Sequence, residues 1–530
     1  MALLDKYPAT LTAKTAEHLL RRTMFGATRA DIAALTGKSI DAALDTLLKD
    51  QTAPAPPIDP TTGQTWVNGT ARTNNDGQYN NYMKAWWLGL MATQPLSITE
   101  KMTLFWHNHF VSSYSAVNDT RYMYKQHALL RRYALGNFKT LTREISTDPA
   151  MLRYLNGNRN TKASPQENFA RELQELFTIG KGPEISAGNY TTYTEQDVRT
   201  AARVLTGWTD NPTTVTSTFN LNQHDTEDKQ FSAAYQNTII KKRTTASSPN
   251  SNVGLDDLNE LLDMIFRQTA TSEYICRKLY RFFVNFDVTP TIEKEVIVPL
   301  GKTLRDNNFE IKPVLRQLLG STHFFDNNII GCIIKTPLDL IIGMVRQMQI
   351  TIPNSTTQTG FYYSYFDQLR SLAASLQQDV FELPNVAGWS VYYQEPLFYQ
   401  IWINSATMPS RANLGNTLTN GWTLVNRATS ATMRVTFDSL AFLQQFPNPE
   451  DPNKVIDNLT QNFFAIDLTS EQKDELLTKV LLPNLPPYEW TMEWNDYMKT
   501  PNDAQKKAMI KAKLDALIKY MMLIAEYQIT

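Results

Sequence analysis

Cysteine is scarce: the 530 residues contain two, Cys276 and Cys332. Two cysteines cannot build a disulfide framework, and no CxxC pair is present. Both sit in apolar surroundings, where a small buried thiol is the simplest reading. Charge is also thin. Charged residues make up 19% of the chain, against about a quarter in ordinary globular proteins. With 51 basic and 52 acidic residues the net charge is −1. No basic excess exists to neutralise phosphates, so nucleic acid is not an expected partner. The short run Lys241-Lys242-Arg243 does not alter that. Long hydrophobic runs are missing as well. Lys335 and Asp339 interrupt the best one, Ile329–Val345, so no membrane span is expected. Met1–Ala16 shows no apolar signal-peptide core. The default location is therefore the cytoplasm, with export to the periplasm or cell surface beside a partner as the alternative. There is no G-x-S-x-G elbow and no phosphate-binding glycine loop. There is no H-E-x-x-H or E-x-x-H either, which argues against zincin and ferritin-like metal sites.

What the sequence does carry is helix. Thr28-Arg-Ala-Asp31, Ser97-Ile-Thr-Glu100 and Thr194-Glu-Gln-Asp197 read as capping boxes. Ser164-Pro165 places proline at the first position of a helix running through Leu176 and stopping near Gly180. Apolar periodicity predicts further helices over 255–268, 272–285, 292–307, 312–320, 337–349 and 501–527. Strand signals are confined to 214–223 and 432–437. The expected fold is all-α: a compact multi-helix body with a small β-hairpin insertion near 214–231. Residues 1–530 read as one domain, with lobes at 1–250 and 251–530.

Three stretches hold residues suited to chemistry. In Leu104-Phe-Trp-His107-Asn-His109-Phe110 the histidines are i,i+2, so they lie about 200° apart on a helix and cannot share a metal. His109 falls on the aromatic stripe, where a hydrogen-bonded core histidine is the ordinary alternative to a functional one. In Asn168-Phe-Ala-Arg171-Glu172-Leu-Gln-Glu175-Leu-Phe177 the two glutamates share a face beside the buried stripe. Such a pair calls for a compensating cation or proton, and Arg171 is the bland candidate for that task. In His224-Asp225-Thr-Glu-Asp-Lys229 an imidazole, a carboxylate and an ammonium occur together in polar sequence, which as a bare pattern also suits a solvated turn.

Taken in order, these stretches resemble a known bacterial family. His18-Leu-Leu-Arg21-Arg22 through Phe25-Gly26-Ala27 is followed by FWHNHF, NFARELQELFTIG, YTEQDVRTAARVLTGW and the His224–Lys229 segment. Later come Arg277-Lys-Leu-Tyr-Arg-Phe-Phe283, Ile334-Lys-Thr-Pro337 and Pro384-Asn-Val-Ala-Gly-Trp389 through Arg411. The series resembles the domain of unknown function 1800 family, in its Bacteroidota-type branch, over nearly the whole chain. The resemblance implies a helical bacterial protein and, as partner, an exported protein encoded by a neighbouring gene. It transfers no reaction. Its polar positions fall here on His107, His109, Arg171, Glu172, Glu175, His224, Asp225 and Lys229. This chain departs from the family pattern at Glu227, where glycine is frequent, and at Gln268, where histidine is frequent; it also shows no export signal.

These features lead to an acid–base enzyme whose site gathers His109, Glu172, Glu175, His224, Asp225 and Lys229. Glu172 or His224 would move the proton, and Lys229 would stabilise developing negative charge. A hydrolase of an extracellular or surface polymer, such as a glycan, is the most concrete form. No cofactor is required. A variant has a divalent metal on His224, Asp225, Glu172 and Glu175, where Lys229 would compete with the ion. The alternative class is a non-catalytic binding or assembly protein whose polar cluster is a structural hydrogen-bond network. An enzyme site should open outward with unpaired polar groups; a structural network should be closed and satisfied.

Overall fold

A computed structural model describes residues 2–530. The chain is mostly helical, and its described strands pair only as four two-stranded antiparallel hairpins. The capping boxes at Thr28 and Thr194 form as the sequence predicts, with Asp31 and Asp197 reaching back to the cap amides. Two starts differ. The helix Thr99–His109 is capped by Ile98 without a side-chain bond. Glu100 instead accepts from Trp87 Nε1 at 3.0 Å and Arg131 Nε at 2.7 Å. A buried indole and a guanidinium outcompete the helix amides for that carboxylate. The helix expected at Pro165 begins at Glu167, because Asn160 Oδ1 takes the Gln166 amide at 2.9 Å and holds the preceding turn. The predicted insertion supplies the second strand, Thr216–Phe219, of a hairpin whose first strand, Trp208–Asn211, precedes it, and its Lys229–Gln230 end pairs with Ile239–Ile240. Thr432–Val435 pairs with Trp422–Val425. No described helix is long and apolar enough to cross a membrane.

The apolar side chains bury themselves in two clusters. One takes residues from 11–48, much of 98–205 and 231–329. The other takes most of its residues from 66–92 and 338–527. The helix Thr99–His109 lies between them, giving Leu104 to the second and Met102, Phe105 and Trp106 to the first. Its two histidines follow the same division. His107 packs edge-on to Trp87 and Phe381, whereas His109 packs among Phe105, Trp106 and Phe110. The i,i+2 spacing thus sends neighbouring imidazoles into different cores.

Two glycines allow the seam to close. Gly26 has φ +73°, and a Cβ there would lie 2.6 Å from Gly343 Cα. Gly388 has φ +88°, with a Cβ position 2.3 Å from Asn108 Oδ1. That oxygen accepts from the Trp389 amide at 2.8 Å, so the central Asn of FWHNHF clasps the Val-Ala-Gly-Trp segment. Gly388→Ala should therefore cost about 2–3 kcal/mol through backbone strain and clash. Thermal and denaturant unfolding would measure it; a change below about 0.5 kcal/mol would show the clasp to be unimportant.

Candidate functional site

The helix Glu167–Glu172 does not continue regularly. It widens into a π-helical turn, Leu173–Phe177, and the chain leaves at Gly180 with φ +74°. Such turns leave backbone groups without their usual helical partners and recur at functional sites. Here side chains from two distant helices complete the turn. Leu176 O accepts from Tyr274 Oη at 3.1 Å and Lys278 Nζ at 3.2 Å. Phe177 O lies 3.0 Å from His109 Nε2. A carbonyl only accepts, so Nε2 carries the proton and Nδ1 is left to accept from Lys278 Nζ at 3.2 Å. Burial, reinforced by the Lys278 charge, holds His109 well below its ordinary range, so the imidazole is neutral. Burial, with Arg281 adding to it, brings Lys278 down to about 7.

The two glutamates flank this junction with opposite environments. Glu175 accepts from Tyr193 Oη at 2.9 Å and pairs with Lys181 Nζ at 2.6 Å. Glu172, partly exposed, has no hydrogen-bond or ion-pair partner among the described residues. Arg171 does not serve it; that guanidinium is held by Glu195 at 2.5 Å and Glu167 at 3.1 Å. Burial and then the Glu175 charge push Glu172 up to about 7.

The His224 segment folds into a different enclosure. His224 Nδ1 donates to Thr206 O at 2.8 Å, and Nε2 lies 3.1 Å from Asp257 Oδ2. Lys229 Nζ donates to the same oxygen at 2.7 Å, and all three side chains are fully buried. A solvated turn is thereby excluded. Asp225 meets Arg203 through both oxygens, at 2.6 and 3.2 Å. Burial opposes its charge, but Arg203 and the Glu227 amide keep it below the usual carboxylate range. The expected six-residue grouping therefore divides: His109, Glu172 and Glu175 border the π-turn, while His224, Asp225 and Lys229 lie around Asp257 and Arg203. The helix Glu195–Val204 bridges the two places, with Glu195 on Arg171 and Arg203 on Asp225. Those residues are about 12 Å apart along its axis. No hydrogen bond or ion pair among the described residues joins the groups directly.

The same geometry gives the residues of the four-ligand metal variant other partners. Glu175 is committed to Lys181 and Tyr193, Asp225 to Arg203, and both His224 nitrogens to oxygens within the fold. No group of three His, Cys, Asp or Glu that could hold an ion occurs among the described residues. His107 lies apart, its Nε2 accepting from the Phe381 amide at 3.1 Å, and burial with Lys84 lowers it to about 3.

Several functional candidates were not singled out from sequence. Asp257 had a signal, since it sits on the Val253–Leu258–Leu261 stripe where an acid is out of place. Lys278 had none beyond its motif and Tyr274 none at all, because only the tertiary fold brings them to the π-turn. A further pair, His127 and Asp148, lines a cavity of about 590 Å³ with Trp86 and Tyr124. Neither His127 ring nitrogen has a partner, and burial pushes Asp148 up to about 7.

Together these features define a mostly helical protein built on two apolar cores, with a partly exposed carboxylate pair on a π-turn between distant motifs. Residues 18–529 match the family model described as "Protein of unknown function (DUF1800)", and the chain belongs to that family. No curated protein and no solved structure matches it.

The Asp257 enclosure makes a direct prediction. Asp257→Asn removes the only carboxylate paired with Lys229 among the described residues and should cost about 3–5 kcal/mol, because it strands a buried ammonium. Lys229→Met combined with Asp257→Leu should cost clearly less than the sum of the single changes. Additive losses in denaturant unfolding would show that the two groups are not coupled.

Proposed function

We infer that the chain is an acid–base enzyme of hydrolase type acting on an extracellular or surface polymer, with a glycan as the concrete substrate class. The observation that carries this reading is Glu172: a partly exposed carboxyl without a partner, held near 7, beside a second carboxylate that is firmly paired. A carboxyl raised in proton affinity beside one that is paired with a lysine suits an acid and its partner. Glu172 would give and retake the proton. Glu175, paired with Lys181 and Tyr193, would steady developing positive charge. Lys278 and neutral His109 would fix the turn that carries both.

His224, Asp225 and Lys229 are better suited to holding the fold, since each is paired with a neighbouring element. This part of the molecule fits the alternative class, a binding or assembly protein stabilised by buried polar contacts. A second location for the acid–base chemistry is the His127–Asp148 cavity, favoured by the unpartnered imidazole.

The test is release of reducing ends from a panel of bacterial surface glycans. Glu172→Gln should lower turnover about 10²–10⁴-fold while leaving the fold intact. If Asp148→Asn abolishes turnover and Glu172→Gln does not, the cavity is the site. Absence of turnover by the wild-type chain favours the binding class.

Stability against pH gives a separate check. Glu172 is raised from 4.5 to about 7. The folded chain therefore keeps a proton that the unfolded chain releases, and the stability it lends is complete below 4.5 and lost as pH rises through 7. Glu172→Gln should match wild type at low pH and exceed it by on the order of 1 kcal/mol above about pH 8. A variant whose relative stability does not rise with pH would contradict the assignment.

A further inference from the structure

Several stretches of the family pattern take no part in the Glu172 site, and they meet elsewhere. Arg21 and Arg22, Lys101, Arg281 and the Ile334–Thr336 segment enclose a cavity of about 40 Å³ together with Asp339. Its remaining wall includes Phe282, Phe286, Tyr392, Phe398 and Trp402. The volume exceeds the roughly 10–15 Å³ that one water needs, yet it admits no more than a small polar group.

Cations outnumber the carboxylates that could balance them. Asp339 is taken by Lys101 and by Thr336 Oγ1 at 3.0 Å. Arg21 has its own partner, Glu17, at 2.6 Å. Arg22 has none among the described residues: its amino nitrogens reach the carbonyls of Val284 and Ile329 and the Cys332 sulfur, and its Nε, in a side chain 3% exposed, is without an acceptor there. Arg281 donates to Phe286 O at 3.3 Å, and the one carboxylate in its reach, Glu395, stands 4.0 Å away at the surface. Lys335, between two lining residues, adds a buried ammonium that lies over the Tyr527 ring at 4.0 Å and forms no ion pair among the described residues. Burial lowers Arg22, Lys101, Arg281 and Lys335 alike, as expected where positive charge is crowded and dry. Buried charge of one sign needs a counter-charge with hydrogen-bonding capacity.

We propose that this cavity is a binding site for a small oxyanion, a phosphate, sulfate or carboxylate group, received by Arg22 and Arg281 beside the Lys101–Asp339 pair. A planar or tetrahedral oxyanion matches guanidinium donors better than a spherical ion does. The aromatic wall excludes water and so strengthens the attraction. The site is separate from Glu172 and does not depend on the acid–base reading.

The experiment uses the full chain, dialysed into a chloride buffer and titrated calorimetrically with inorganic phosphate, sulfate or acetate. At least one should bind saturably at a single site, raise the melting temperature, and bind at least about tenfold more tightly than chloride. Which of the three does so identifies the oxyanion. Arg22→Gln should abolish binding but could also impair folding, so Arg281→Gln, nearer the surface, is the deciding variant. It should keep the circular dichroism of wild type and weaken binding at least about tenfold. Glu172→Gln should leave binding unchanged. No saturable binding of any of the three up to about 50 mM, or affinity unaltered in a folded Arg281→Gln chain, would overturn the proposal.

Discussion

The polar architecture depends on the carbonyls left free at the end of one π-helical turn. Leu176 O lies in part-buried and Phe177 O in buried surroundings, and side chains supply their donors. Tyr274, Lys278 and His109 do so, and each comes from a helix far away in sequence. That requirement draws the 99–109 and 269–283 helices onto the end of the 167–177 helix. It also fixes the histidine tautomer and keeps the imidazole uncharged.

The same rule sorts the remaining polar groups. Where a group has its partner, as at Lys229–Asp257 and Asp225–Arg203, the contact holds two elements together. Where partners run out, something outside the fold has room to act. Glu172 is one such place, with a carboxyl that lacks a donor and stands beside a negative charge. The cation-rich cavity at Arg22 is another, with donors that lack an acceptor. One place retains a proton and the other lacks an anion, so they complement each other chemically while remaining separate in space.

Much of the fold was legible because local chemistry decided it. Thr28 and Thr194 cap their helices through hydroxyls and carboxylates that sequence spacing alone sets in place. The opposed orientation of His107 and His109 follows from the pitch of a helix. Ser97 and Pro165 misled because Glu100 and Asn160 found stronger partners in the folded chain than a helix terminus offered. The π-turn was not legible, since a widened turn leaves no mark in the spacing of apolar residues. The site was half legible. Glu172 and Glu175 stood out as like charges beside a buried stripe, and the structure leaves the first of them unpaired. His224, Asp225 and Lys229 were grouped with them only through shared membership of a motif series. Motif membership reports that residues matter, whereas their meeting in space depends on tertiary packing. Asp257, an acid on an apolar stripe, and Arg203 are the partners that take those three away, and only the folded chain shows which residues they meet.

The central claim is that Glu172 is an unpaired carboxyl that keeps its proton close to neutrality. Infrared difference titration of wild type against Glu172→Gln isolates that one group. The account predicts a protonated carboxyl band that persists at about pH 6 and disappears with a midpoint near 7. A carboxylate already ionised at about pH 6, titrating near its ordinary 4.5, would contradict it.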